Sequence, residues 1–211
     1  MKHFFVYISI IFLSVNASYA QSLNETNIGA IKKQVEAKAK TFCKYVVAIG
    51  TSPGQKGAVA DDVKLDMIRN QVPGLFYEYY EAPRMMITSY ANGNKTRKRK
   101  MSDYFVNLRK QSNAGLNSAR RYELRYVGIS SNGDLGGFRY DRTTSDGCKL
   151  YVATIVIRQL YHKIDLNSPN ADGRAVEGLE DESKVYEVYA LVKPNGKAGV
   201  FLGDVKRMYK N

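Results

Sequence analysis

Residues 148–164 read CKLYVATIVIRQLYHKI, the longest strand pattern in the chain. β-Branched and aromatic residues dominate it, and neither Gly nor Pro interrupts it, as an extended strand requires. A turn signal, TSDG at 144–147, precedes it, and a polar loop at 165–183 follows. Strand patterns continue on both sides. Upstream, RRYELRYVGI at 120–129 alternates, with Leu124 and Tyr126 opposed to Arg125 and Val127. The turn SSNGD then leads into LGGFRYDRT at 135–143. Downstream, KVYEVYALVK at 184–193 and AGVFLGDVKRM at 198–208 flank PNGK, a tight hairpin signal. The second half of the chain is therefore expected to be an antiparallel meander.

The first half carries a different period. Ile28, Ile31, Val35, Ala39, Phe42, Val46 and Ile49 fall three and four residues apart, the stripe of an amphipathic helix. Ser22 and Glu25 have capping-box spacing. A second helix is expected over 61–72, burying Leu65, Ile68 and Val72, until Pro73 kinks or restarts it. The aromatic run GLFYEYYEAP follows as a short helix or turn, and RMMITSY at 84–90 as a strand. ANGNKTRKRK reads as a loop, after which Ser102 is expected to cap a helix with Tyr104, Phe105 and Leu108 inside. Helices first and a meander afterwards make an α+β domain, with N-terminal helices packed on a curled, mostly antiparallel sheet.

The opening MKHFFVYISIIFLSVNASYAQS has one cation, an apolar stretch from Phe4 to Val15, and small residues Ser18 and Ala20 at cleavage positions. This is the form of a secretory signal peptide, and the apolar run falls short of the roughly 20 residues of a spanning helix. The expected organisation is a signal at 1–20, cleaved after Ala20, and a single domain at 21–211. The mature protein is expected in the periplasm or outside the cell.

Thirty-two Lys and Arg against twenty Asp and Glu give a formal charge of +12, which favours acidic partners. The cations concentrate in NKTRKRK at 94–100, as Lys95, Arg97, Lys98, Arg99 and Lys100. Export removes a nuclear role. Two readings remain: a patch for an anionic surface or glycan, joined by Arg84, Lys110, Arg120 and Arg121, or a solvated loop. Cys43 and Cys148 are candidates for a disulfide in an oxidising compartment, or two buried free thiols; they make no zinc spacing, and no metal or cofactor is expected. Asn24 and Asn94 match glycosylation acceptors.

His162 is the only histidine beyond the signal, and no nucleophile partner accompanies it. Asp66, Asp141 and Asp204 are candidate carboxylates, with nothing in the sequence to single one out. SNGDLGG lacks the lysine and following helix of a phosphate loop, and DLNSPNADG lacks calcium-loop spacing.

The order of helices, strand, helix and long strands, with the ending GVFLGDVKRM, resembles the nuclear transport factor 2-like superfamily. That resemblance implies a cone-shaped sheet around the long N-terminal helix, with a pocket between sheet and helices. The residues it would place there are Tyr77, Tyr80, Tyr126, Tyr151, His162 and Tyr189. The expected function is a non-catalytic binding or interaction domain for a small molecule or a protein partner, with a homodimer as one arrangement. The alternatives are a small-molecule enzyme of the ketosteroid-isomerase or dehydratase kind and a polyanion-binding surface protein. Fold alone does not choose among them.

Overall fold

A computed structural model describes residues 23, 25–77, 84–89, 95–114, 120–129, 137–165 and 180–207. Within these ranges the backbone alone is described for 25–27, 84–89, 95–98, 120, 122, 161–165, 180–183 and 207. The expected signal at 1–20, Ser22, Asn24, Tyr80, Asn94 and the centre of the 165–183 loop lie outside the described residues.

Helix α1 spans Glu25–Gly50. Of its stripe, Ile31, Val35, Ala39, Phe42, Val46 and Ile49 are buried, and Ile28 is half-buried. Helix α2 covers only Asp61–Asp66; a π-helical turn, Met67–Gln71, and a 3-10 turn, Val72–Leu75, continue it. The single helix expected over 61–72 is thus a three-part element that widens into a π turn and then tightens into the 3-10 turn that holds Pro73. The remaining elements are β1 Arg84–Ser89, β2 Lys95–Lys100, α3 Met101–Ser112, β3 Arg120–Ile129, β4 Arg139–Thr143, β5 Lys149–Asp165, β6 Glu180–Val192 and β7 Ala198–Arg207.

The seven strands form one curled sheet in the order β2-β1-β7-β6-β5-β3, with β4 paired to β5. Its pairings are antiparallel except for β1 with β7, which meet at Met85 and Val205. The β6–β7 hairpin closes as PNGK promised: Lys193 N–H donates to Lys197 C=O at 2.9 Å, and Gly196 takes the positive φ of 81° that this turn demands.

Strand parity divides the sheet. Ala153, Ile155 and Ile157 of β5, Tyr186, Val188 and Ala190 of β6, and Val200, Leu202 and Val205 of β7 form one buried cluster with the α1 stripe. Phe42 sits at its centre, edge-on to Phe105 at 5.8 Å and to Tyr186 at 5.9 Å. Gln34 Nε2 donates to Ala198 C=O at 2.9 Å and fixes α1 along β7. Among the described residues, these side chains pack together between sheet and helix.

A polar clamp closes the helical end. Lys64 is fully buried, and its Nζ donates to Thr51 C=O at 2.6 Å and to Ser112 Oγ at 2.9 Å. Burial pushes this ammonium below its ordinary value, against the opposing charge of Asp61. Arg109 grips Asp61 through Nε at 2.8 Å and through Nη2. Leu65 and Ile68, the expected inner residues, are only half-buried.

Two further expectations are corrected, and one open alternative is resolved. NKTRKRK is not a loop from Lys95 onward: Lys95–Lys100 is an edge strand, in register with β1 from Arg84↔Lys100 to Ser89↔Lys95. Cross-strand backbone bonds stabilise it where its charged sequence shows no alternation. Ser102 does not cap α3; β2 runs directly into the helix, with Lys100 at the N-cap and the buried Met101 as first helical residue. Of the two readings of Cys43 and Cys148, the structure has the buried free thiols. Cys43 Sγ faces Gln159 Oε1 at 3.8 Å, and Cys148 lies at the far end of the same strand. Those positions are separated by roughly 35 Å of strand at about 3.3 Å per residue, far beyond disulfide reach.

Cys43 belongs to a buried polar cluster. Tyr186 Oη also donates to Gln159 Oε1, at 3.2 Å, and Tyr126 is the cross-strand partner of Gln159. Burial pushes the Cys43 thiol up to about 11, with Lys184 opposing, and the Tyr126 phenol up to about 12, aided by the charge of Glu36. Both groups stay protonated in the folded chain while the unfolded chain releases their protons. Their contribution is therefore complete below pH 9 and is lost as pH rises through the folded values. Denaturant midpoints measured across pH 9–12 are expected to fall. Cys43→Ala should make the fall shallower, by on the order of 2 kcal/mol at its alkaline end; an unchanged profile would show that the thiol does not report burial.

Candidate functional site

On the sheet face turned away from α1 lies a cavity of about 600 Å³. That volume is in the range of small-molecule sites. Its lining follows from parity: Val152 of β5 pairs with Tyr189 of β6, so both point opposite to Ala153 and Val188 of the core. Glu187 shares this face. Strand β4 contributes Arg139, Tyr140, Asp141 and Arg142, and β7 contributes Gly203 and Asp204. Tyr77 enters from the edge, placed by its N–H to Leu202 C=O at 3.3 Å.

Gly203 makes the cavity floor compatible with its walls. A Cβ there would lie 2.5 Å from Tyr189 Cε2 and 2.7 Å from Glu187 Oε2. Tyr189 therefore lies across β7, where Tyr77 stacks on it at 5.2 Å with a 22° interplanar angle. Its Oη donates to Glu187 Oε2 at 2.8 Å. Burial, then the bond to Glu187, then the charges of Glu187, Asp204 and Asp141 push this phenol far up. Tyr189 is thus a fixed neutral donor. Arg142 Nη1 pairs with Asp141 Oδ2 at 2.9 Å on an exposed strand, a contact of little energetic weight. Arg139 has no hydrogen-bond or ion-pair partner among the described residues. The cavity thus joins three carboxylates and two guanidiniums to tyrosine walls. Among the described residues no group of three or more His, Cys, Asp or Glu side chains is arranged to hold a metal ion.

Of the residues singled out in the sequence, Tyr77, Tyr189, Asp141 and Asp204 meet here. Tyr151 and Tyr126 do not. Tyr151 is buried on the α1 face beside the ring of Tyr140, at 5.9 Å. Tyr126 lies in the Cys43 cluster, with Lys40 Nζ 5.2 Å from its ring centroid. His162 is opposite Glu123 along β5, ten positions from Val152. Asp66 is exposed and held below the usual carboxylate range by Asn70 and Gln71. Lys95, Arg97, Lys98, Arg99 and Lys100 form the β2 edge strand, where charges discourage pairing with another chain. Sequence reasoning missed Arg139, Arg142, Glu187 and Gly203. A glycine inside a strand signals a close approach, and that signal stood at Gly203.

No family model matches the chain, and no curated protein matches it. Among solved structures it is similar to ActVI-ORFA from Streptomyces coelicolor, at 9% identity and a TM-score of 0.23, over 70% of this chain and 89% of that one. A likeness at that level carries no argument about ligand or reaction.

Gly203→Ala tests the architecture of the floor. The added methyl must displace the Tyr189 ring and the Glu187 carboxylate, so stability is expected to fall by about 1–2 kcal/mol. A crystal structure of the variant is expected to show the Tyr77–Tyr189 stack opened. An unmoved stack at full stability would show that the close approach imposes nothing.

Proposed function

We propose that this chain is an exported, non-catalytic ligand-binding domain of nuclear transport factor 2-like architecture, with its ligand site on the outer face of the sheet. The element order and the long helix held in a curled sheet support the architecture. The cavity walled by Tyr77 and Tyr189 is the observation that carries the binding function.

The polar inventory of the cavity favours binding over acid–base catalysis. A carboxylate base works best unpaired in a dry pocket. Here Asp141 is exposed and ion-paired, and Glu187 already accepts a hydrogen bond from Tyr189. These groups are arranged to hold polar atoms in place.

A thermal-shift screen of small polar metabolites tests the reading. A ligand present at about 100 times its Kd adds about 2.7 kcal/mol, which raises Tm by about 5–10 °C in a domain of this size. Protection is expected to vanish in Tyr189→Leu. A compound that protects this variant equally would move the site elsewhere. For export, mass spectrometry of the secreted or periplasmic fraction is expected to find a mature chain beginning at Gln21; an unprocessed cytosolic chain would remove that part of the proposal.

A further inference from the structure

The charges of the cavity do not share a sign, and that restricts what it can hold. The protein carries +12 overall, yet this one concavity gathers Asp141, Glu187 and Asp204 against Arg139 and Arg142. An anion drawn by the long-range field would meet three carboxylates at short range. A simple cation would meet two guanidiniums.

The groups with unspent bonding capacity narrow the choice. Asp141 and Arg142 are occupied with each other. Glu187 Oε2 is occupied by Tyr189, which leaves Oε1 without a partner among the described residues. Arg139 has its whole donor fork unspent among those residues. The β4 side of the cavity therefore offers the unspent Arg139 fork beside the Asp141–Arg142 pair, and the β6 side offers an acceptor with tyrosine rings beside it.

Register sets the distance between them. Arg139 is opposite Val152, and Val152 is opposite Tyr189, two positions from Glu187 on the same face. Two interstrand steps of about 4.8 Å and two residues along a strand separate the backbones of Arg139 and Glu187 by roughly 12 Å. Both side chains are long, so the gap left between their charged ends is of amino-acid or dipeptide size.

We infer that the cavity takes a zwitterion of the amino-acid or short-peptide class, its carboxylate on Arg139 and its ammonium on Glu187 against the Tyr189 ring. This rests on the cavity being the ligand site proposed above. The guanidinium fork matches a carboxylate in two parallel hydrogen bonds, and an ammonium beside tyrosine gains from the ring face as well as from the carboxylate. A neutral sugar would hydrogen-bond the same atoms without gaining from either charge.

Calorimetric titration of the mature protein with the dipeptides Gly-Phe, Gly-Leu and Leu-Gly tests the inference, using three comparators: the N-acetyl form, the C-terminal amide and maltose. Capping either end is expected to weaken binding by about tenfold or more. Arg139→Gln should bind free and amidated dipeptide equally, and Glu187→Gln should bind free and acetylated dipeptide equally. Circular dichroism confirms that each variant is folded. Capped forms that bind as tightly as free ones would overturn the inference, as would maltose binding in place of dipeptides or no dipeptide binding at millimolar concentration. If maltose binds and Tyr189→Leu abolishes it, the cavity remains the ligand site and only the ligand class is wrong. Dipeptide binding that survives in Tyr189→Leu would remove both.

Discussion

One helix has a single apolar stripe, and one sheet must cover it. Burial of Ile31, Val35, Ala39, Phe42, Val46 and Ile49 against β5, β6 and β7 is the constraint from which the rest of the structure follows. Each of the larger side chains among them contributes roughly 1.5–3 kcal/mol when taken from water. A flat sheet would touch a single helix along one line, whereas a curled sheet closes around it. Curling fixes strand parity: once Ala153, Ile155, Val188 and Ala190 face the helix, their neighbours Val152, Thr154, Glu187 and Tyr189 must face away. The outer face is thereby released from packing, and it is there that charged and aromatic residues converge.

The parts of this architecture that depend on periodicity were legible in the sequence. The α1 stripe matches its buried residues, and β3 occupies 120–129 with Arg125 and Val127 outward. Other parts were hidden because distant segments decide them. Nothing in the local sequence marks Lys64 for burial; Thr51 and Ser112, 13 and 48 positions away, supply its acceptors. Lys95–Lys100 reads as a loop because charge masks the strand, and only β1 makes it extended. The candidate site was half visible. Tyr77, Tyr189, Asp141 and Asp204 stood out by residue type, but the resemblance to a cone assigned the pocket to the inner face. The cavity on the outer face follows from parity between neighbouring strands, which a single strand does not reveal.

The basic run and the cavity also divide the work of charge. Strand β2 is at one end of the sheet, with one edge paired to β1 and the other facing no strand among the described residues. A bare edge invites another chain, and repeated Lys and Arg oppose that addition by repulsion. This use of cations needs no ligand. The cavity, with three carboxylates against two guanidiniums, is built by β4 to β7 and takes nothing from this strand.

Strand β7 shows how one backbone serves both faces. Leu202 and Val205 are both in the core, although regular alternation would place positions 202 and 205 on opposite sides. The register shifts between Tyr186 and Val188, so β7 carries one residue more than β6 over this span, as in a β-bulge. The extra residue leaves Gly203 and Asp204 together between two core positions, and both line the cavity. The first has no side chain, which admits the Tyr189 ring and the Glu187 carboxylate; the second adds a carboxylate beside them. Removing one residue here would restore regular pairing and keep the core. It would also erase either the opening for Tyr189 or the third acid. A bulge also bends its strand, so the residue that opens the outer face to Tyr189 and Glu187 helps the sheet curl around α1 as well.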